Sequence, residues 1–253
     1  HSAIVGSTGS GKSNTVTSLL KAINSGAYPK AKIILIDPHS EYHTALKEYS
    51  KVYSIDGDKP LKIPYWCLSY NELALILFDK KQSIDTAQDL RFQQEILKQK
   101  IEVASKLKSG VIPENQITVN SPIPFDLKKI WFELYIETFA TVHTKGDLST
   151  VAYETDEDDN ELKGNKDTLE LPKFIPAGNG ANQPNYFTQQ KILSSYLNKL
   201  RGKLLDNRVD FIFDTPEYDG VKKDLDDLLS EWINHDKPIT ILDLGGIPFD
   251  TMD

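Results

Sequence analysis

The sequence predicts an α/β fold in which a mostly parallel β-sheet is flanked by helices. Residues 33–36 are a continuous apolar run of strand length, which is typical of a parallel strand covered on both faces, and residues 239–243 form a second strand of the buried type. Residues 13–25 place apolar side chains at helical spacing, and they follow another short apolar stretch at residues 2–5. Strand, helix and strand therefore follow in the order of a βαβ unit.

Downstream of residue 50 the apolar pattern predicts further elements. Residues 52–55 and 209–213 are strand candidates. Ser69 and Glu72 have the spacing of a capping box in front of an apolar helix. Two amphipathic helices are marked by Leu90, Leu97, Ile101, Ala104 and Leu107 and by Leu127, Ile130, Trp131 and Leu134. Two later ones are marked by Ile192, Leu193, Tyr196, Leu197, Leu200 and Leu204, with Thr188 as cap, and by Leu225, Leu228, Leu229 and Trp232. We therefore expect a helical insertion in the α/β fold.

Residues 144–180 lose this periodicity and are acidic, with Asp156, Glu157, Asp158 and Asp159 at their centre. A segment with few apolar residues and clustered like charges contributes little to a core. We expect a flexible, exposed acidic loop insertion at residues 144–180, carried by a single domain that spans residues 1–253.

The composition limits the possible partners. The formal net charge is −8, from 29 Lys and Arg against 37 Asp and Glu. Because binding to nucleic acid draws on clustered basic side chains, any contact with DNA is expected to be local. The single cysteine, Cys67, cannot form an internal disulfide. No apolar run reaches the roughly 20 residues that span a bilayer, so we expect a cytoplasmic protein without a membrane contact.

Residues 6–13 carry a strong functional signal. They follow the phosphate-loop pattern of Gly, four residues and Gly-Lys-Ser, with the sequence Gly6, Ser7, Thr8, Gly9, Ser10, Gly11, Lys12 and Ser13. The glycines allow positive φ angles, which turn backbone N–H groups towards a phosphate at the positive end of the next helix. Lys12 adds a charge for the β- and γ-phosphates, and the Ser13 hydroxyl is a ligand for Mg²⁺. The sequence thus predicts binding of ATP with Mg²⁺.

A second polar cluster begins at Asp37, directly after the apolar run at residues 33–36. Ligands of open α/β sheets bind at the carboxyl ends of the strands, so Asp37 and Glu41 join Lys12 as candidate catalytic residues. Asp37 would orient Lys12 or a metal-bound water, and Glu41 would reach the attacking water or a neighbouring subunit. The alternative is that Asp37 and Pro38 only form a turn, with Glu41 solvated.

Two further residues have open roles. Asp243 ends the strand at residues 239–243, where it lies either near the metal or in a strand-end turn, and Leu244 follows it in place of the glutamate that commonly polarises water. Arg201 is either an arginine finger, which stabilises the charge of a transferring phosphoryl group, or a solvated or locally paired arginine.

Together these motifs resemble HerA-type ATPases of the FtsK–HerA group. The resemblance rests on residues 4–16, which add Asn14 to the nucleotide-binding loop, and on Ile36-Asp37-Pro38-His39-Ser40-Glu41-Tyr42. It continues through residues 63–69, 200–213 and 237–248. The family usually has Gly where this chain has Ser40, a departure expected to alter the turn while leaving both carboxylates in place.

The resemblance implies a RecA-like, ring-shaped hexamer that uses ATP hydrolysis to move double-stranded DNA through its channel. It implies further partners, a nuclease or an effector subunit of defence against phage. It also implies that the chain is a fragment without two family elements, an N-terminal β-barrel and a C-terminal Walker B strand with the catalytic glutamate. On that comparison we expect residues 1–253 alone to bind ATP but to hydrolyse it slowly.

An alternative function belongs to a different class. The chain would then be a nucleotide-gated ring scaffold that assembles an effector without pumping DNA. Stimulation of ATP hydrolysis by DNA distinguishes the two functions.

Overall fold

The computed structural model describes residues 3–7, 9–24, 28, 30–78, 86–180, 182–189 and 191–246. The chain divides into two units: the first is His1–Pro64 with Phe211–Asp253, and the second is Tyr65–Asp210. The second unit is therefore an insertion in the sequence of the first. The single domain over residues 1–253 stays a prediction.

A parallel three-stranded sheet lies in the first unit. Its strands are β1 (Ile33–Asp37), β2 (Ser50–Ser54) and β5 (Ile239–Asp243), in the order β1-β5-β2. Both outer strands pair with β5 in parallel register, so that Asp243 lies between Asp37 and Ser54. The carboxyl ends of the three strands therefore meet at one edge of the sheet.

One face of this sheet forms the core of the first unit. Leu46, Ile239 and Ile241 are completely buried. Partly buried apolar side chains pack against them, namely Leu20, Ile33, Leu35, Tyr42, Tyr49 and Val52. On the other face of β1, Ile34 and Ile36 are 42% and 60% exposed. Within the part of the chain that the structure describes, this second face of β1 is thus only partly covered, whereas its continuous apolar run predicts cover on both faces.

Helices α1 (Lys12–Ala22), α6 (Asp210–Phe213) and α7 (Leu225–Ile233) accompany the strands. Helix α7 begins with a capping box, in which Asp227 N donates to the Asp224 carboxylate and Asp224 N donates back to Asp227. The Tyr53 hydroxyl donates to Glu231 O at 2.8 Å, which ties α7 to β2. The structure therefore confirms a mixed α/β unit with a parallel sheet flanked by helices.

The second unit is built on α2 (Tyr70–Phe78), α3 (Ala87–Ala104), α4 (Leu127–Phe139) and α5 (Ser194–Leu204). The predicted capping box of α2 is present, with Ser69 N donating to the Glu72 carboxylate at 2.8 Å. The side chains of Thr86 and Asp126 cap α3 and α4. Large buried apolar side chains come from all four helices, among them Leu73, Phe92, Ile96, Ile130, Trp131, Leu134 and Leu200.

The acidic segment at residues 144–180 is hydrogen-bonded along its length. It lies between β3 (Thr141–Val142) and β4 (Asn185–Tyr186), which pair antiparallel. Isolated bridges within it join Tyr153 to Phe174, Thr155 to Glu161 and Asn165 to Glu170. Its acidic centre at residues 156–159 is exposed, but Leu169 is only 2% exposed. The segment thus contributes a leucine to the core, which differs from the loop that its composition predicts.

Three predicted elements differ from the structure. Residues 3–5 are not in a strand, and Ser2 lies outside the described residues. Residues 209–213 are helical rather than extended, because the Asp206 side chain caps a 3₁₀ turn that runs directly into α6. Helix α5 begins at Ser194 with Leu193 as its N-cap, so Thr188 does not cap it.

Candidate functional site

The glycine-rich loop turns directly into the first helix. Gly9 and Gly11 have φ angles of 80° and 85°, in the left-handed region that residues with a Cβ rarely adopt. Gly11 is also the N-cap of α1, so the loop meets the end of the helix where free N–H groups and the positive end of the dipole lie. Thr8 lies outside the described residues, and Asn14 is exposed in the first turn of α1. This geometry suits an anion.

Lys12 extends back over the loop. Its ammonium donates to Gly6 O at 2.7 Å and to Ser7 O at 2.9 Å. A lysine ammonium is a compact charge on a flexible stem, so it can exchange these carbonyls for the oxygens of a phosphate without a backbone movement. The loop therefore presents both of its expected components, the helix N-terminus and the lysine, on the same short stretch of chain.

Ser13 and Glu41 are in contact. The Ser13 hydroxyl donates to Glu41 Oε2, which joins the first turn of α1 to the turn after β1. Ser13 is half-buried and Glu41 is exposed. Hydroxyl and carboxylate oxygens are ligands that Mg²⁺ prefers, so the residues present fit this metal.

Asp37 is the completely buried acid at the end of β1. Its Oδ1 accepts from Glu41 N at 3.1 Å and from His39 N at 3.4 Å, and its Oδ2 accepts from Tyr42 N at 3.0 Å. These partners match the alternative in which Asp37 forms a turn, and the orientation of Lys12 or of a metal-bound water by Asp37 stays a prediction. In the structure Asp37 fixes the turn that carries Glu41.

Asp243 ends the central strand, directly beside Asp37 in the pairing of β1 with β5. Its Oδ1 accepts from the Ser40 hydroxyl at 2.6 Å and from Gly245 N at 3.0 Å. Of the two roles that the sequence left open, these contacts favour the strand-end turn. The sequence identified Ser40 only as a departure from a family pattern, and the constrained turn shows itself in the structure through the Ser40 φ of 55°.

Arg201 belongs to the other unit, on helix α5. Its Nε donates to Leu169 O at 2.9 Å, so part of the guanidinium holds the acidic segment. This contact matches the locally paired alternative, and the role of an arginine finger stays a prediction.

A known protein family matches the residues of this site. The family model described as "Helicase HerA, central domain" matches residues 1–253. No curated protein matches the sequence. Within the described ranges, no helix combines the length and the apolar character that crossing a membrane requires. The family match includes the loop, the turn after β1 and the end of β5, which are the segments that meet at this site.

Proposed function

Since this chain belongs to the family of HerA helicase central domains, we propose that it is the ATP-binding and ATP-hydrolysing core of a HerA-like, RecA-like motor. In this proposal the motor is a hexamer that translocates double-stranded DNA. The observation that carries the proposal is the contact between Ser13 of the glycine-rich loop and Glu41 of the turn after β1. It brings the glycine-rich loop and an acid to one place.

The loop would bind the phosphates of ATP. Free N–H groups at the start of α1 and the positive φ angles of Gly9 and Gly11 shape a concave surface for an anion. Lys12 adds a full positive charge at the same place. A charged hydrogen bond to a phosphate is about twice as strong as a neutral one, so Lys12 would replace its two carbonyl partners with phosphate oxygens.

Ser13 and Glu41 would hold Mg²⁺ and place the water. When bound, Mg²⁺ would neutralise charge on the β- and γ-phosphates. Ser13 would supply a hydroxyl oxygen, and the exposed carboxylate of Glu41 would supply either a further oxygen near the metal or the base that accepts a proton from the attacking water. Asp37 fixes the backbone from which this side chain extends, through the N–H of Glu41.

The assembly would complete the site. A guanidinium has five N–H donors. The Nε of Arg201 donates to Leu169 O. Its other N–H groups would contact the charge that develops on the transferring phosphoryl group. The net charge of −8 restricts contact with DNA to a local surface, which suits a channel lined by several subunits. A nuclease or a defence effector would be the partner of the ring.

Phosphate release with and without double-stranded DNA tests this function. We expect DNA to increase the rate of ATP hydrolysis, and we expect a sixfold subunit mass in the presence of ATP and Mg²⁺. The variant Lys47→Ala, which changes an exposed lysine outside the loop, should behave like the unaltered chain. Rings that form with nucleotide but show no response to DNA would contradict translocation and favour a scaffold that assembles an effector.

A further inference from the structure

Ser40 occupies a strained position in the turn after β1. Its φ of 55° lies in the left-handed region, where a Cβ crowds the backbone. The strained conformation is held by a hydrogen bond from the Ser40 hydroxyl to Asp243 Oδ1, at 2.6 Å and across 203 residues of sequence. A non-glycine residue keeps such a conformation only when its surroundings fix it.

Asp243 is a rigid partner for this hydroxyl. It is the last residue of β5, the strand that pairs on both sides, with β1 and with β2. Gly245 N donates to the same oxygen, Oδ1, at 3.0 Å. The carboxylate is thus oriented by the strand on one side and by the following backbone on the other.

The Ser40 side chain also fills the space beside Gly245. A Cβ added at Gly245 would lie 1.9 Å from the Ser40 hydroxyl oxygen, closer than atoms pack, and 3.1 Å from the Ser40 Cβ, which is a tight contact. The absence of a side chain at Gly245 therefore leaves room for the Ser40 hydroxyl, which donates its hydrogen bond to Asp243.

We propose that Ser40 and Asp243 are positioning residues that hold Glu41 against Ser13 and thereby set the Mg²⁺ requirement of nucleotide binding. The inference rests on the proposed function. Asp37 fixes the turn through the N–H groups on either side of Ser40, and Asp243 fixes it through the hydroxyl of Ser40 itself. These two acids fix the backbone of the turn from which the Glu41 side chain reaches Ser13.

A double-mutant cycle tests the proposal on the 253-residue chain. The variants are Ser40→Ala, Asp243→Ala and both together, and the readout is the Mg²⁺ concentration for half-maximal binding of a fluorescent ATP analogue. Loss of one such hydrogen bond should raise that concentration ~3- to 10-fold, while binding without Mg²⁺ stays unchanged. The double variant should be no worse than Asp243→Ala alone, because the contact that Ser40→Ala removes is already absent there.

Two further variants separate positioning from folding. Ser40→Gly removes the hydroxyl but relieves the left-handed backbone, so it should fold and still show the raised Mg²⁺ requirement. Gly245→Ala should raise the Mg²⁺ requirement because its methyl group would displace the Ser40 hydroxyl. In a chain that already carries Ser40→Gly, the same alanine should have no further effect. The exposed Ser230→Ala on α7 is the control.

An unchanged Mg²⁺ titration for Ser40→Ala, or additive effects in the cycle, would overturn this inference while leaving the proposed function intact. If the unaltered chain bound the nucleotide without any response to Mg²⁺, both the inference and the proposed metal site would be overturned.

Discussion

The hydroxyl of Ser13 donates a hydrogen bond to the carboxylate of Glu41, 28 residues further along the chain. Ser13 follows Lys12 of the glycine-rich loop, and Glu41 follows a buried acid at the end of β1. The contact makes one site of two motifs that are separate in the sequence. Its chemistry depends on the charge of Glu41, on the turn that Asp37 holds and on Lys12.

Glu41→Gln should weaken the metal site without unfolding the chain. Glutamine keeps an oxygen that accepts from Ser13 but loses the negative charge, and the affinity of an oxygen site for a divalent cation depends on its charged ligands. We expect the half-saturating Mg²⁺ concentration for nucleotide binding to rise on the order of tenfold. Glu48→Gln, at an exposed position in the same unit, is the control. Equal Mg²⁺ titrations for the two variants would show that Glu41 lies outside the metal site.

Asp37→Asn should destabilise the first unit. Both oxygens of the Asp37 carboxylate accept hydrogen bonds from backbone N–H groups. The NH₂ group of an asparagine would face one of these N–H groups, donor against donor. An unsatisfied buried donor costs about 1–3 kcal/mol, so the free energy of unfolding in urea should fall by that amount. Asp58→Asn, at an exposed position, should change it little. A similar stability for both variants would contradict the structural role of Asp37.

Leu169→Ala tests whether the acidic segment is part of the fold. Leu169 is 2% exposed, whereas its near neighbour Leu171 is 38% exposed. Removing a buried leucine side chain costs about 2–5 kcal/mol, and removing an exposed one costs far less. We therefore expect a clear loss of thermal stability for Leu169→Ala and a small one for Leu171→Ala. Equal, small losses would restore the sequence-based expectation of a dispensable loop.

Lys100 should make the stability of the second unit depend on pH. This lysine is 1% exposed, and burial lowers its pKa to about 8, while its ammonium donates to Val119 O at 2.6 Å and to Ser121 O at 2.7 Å. Between that pKa and the unfolded value of about 10.5, the unfolded chain binds more protons, so stability rises with pH.

Comparison with Lys100→Met isolates this contribution from other titrating groups. Above roughly pH 8, the free energy of unfolding of the unaltered chain should rise relative to that of Lys100→Met by ~1 kcal/mol per pH unit. Parallel stability curves from neutral pH to pH 10 would show that Lys100 keeps its ordinary pKa.

The sequence predicted those parts of the fold that local patterns determine. The apolar run at residues 33–36 and the strand ending at Asp243 became β1 and β5, and the capping box at Ser69 and Glu72 is present. The sequence predicted a strand at residues 209–213 because a short apolar run does not distinguish a strand from a helix. In the structure these residues are helical, and they follow the cap at Asp206.

The sequence indicates which residues to expect at the candidate site, but not the contacts between them. The pattern of residues 6–13 places Lys12 and Ser13 on one loop, because that motif is local in the sequence. The bond from Ser40 to Asp243 spans 203 residues, and the partners of Asp37 depend on the φ and ψ angles of a single turn. Neither leaves a periodic or compositional signal.

Equilibrium binding of a fluorescent ATP analogue, with Mg²⁺ present, tests the central claim most directly. The unaltered chain and the control Lys47→Ala should bind it with the same affinity, whereas Lys12→Ala should lose at least tenfold, since backbone N–H groups alone do not offset the charge of the phosphates. Unaltered affinity in Lys12→Ala would contradict the assignment of residues 6–13 as the nucleotide-binding loop.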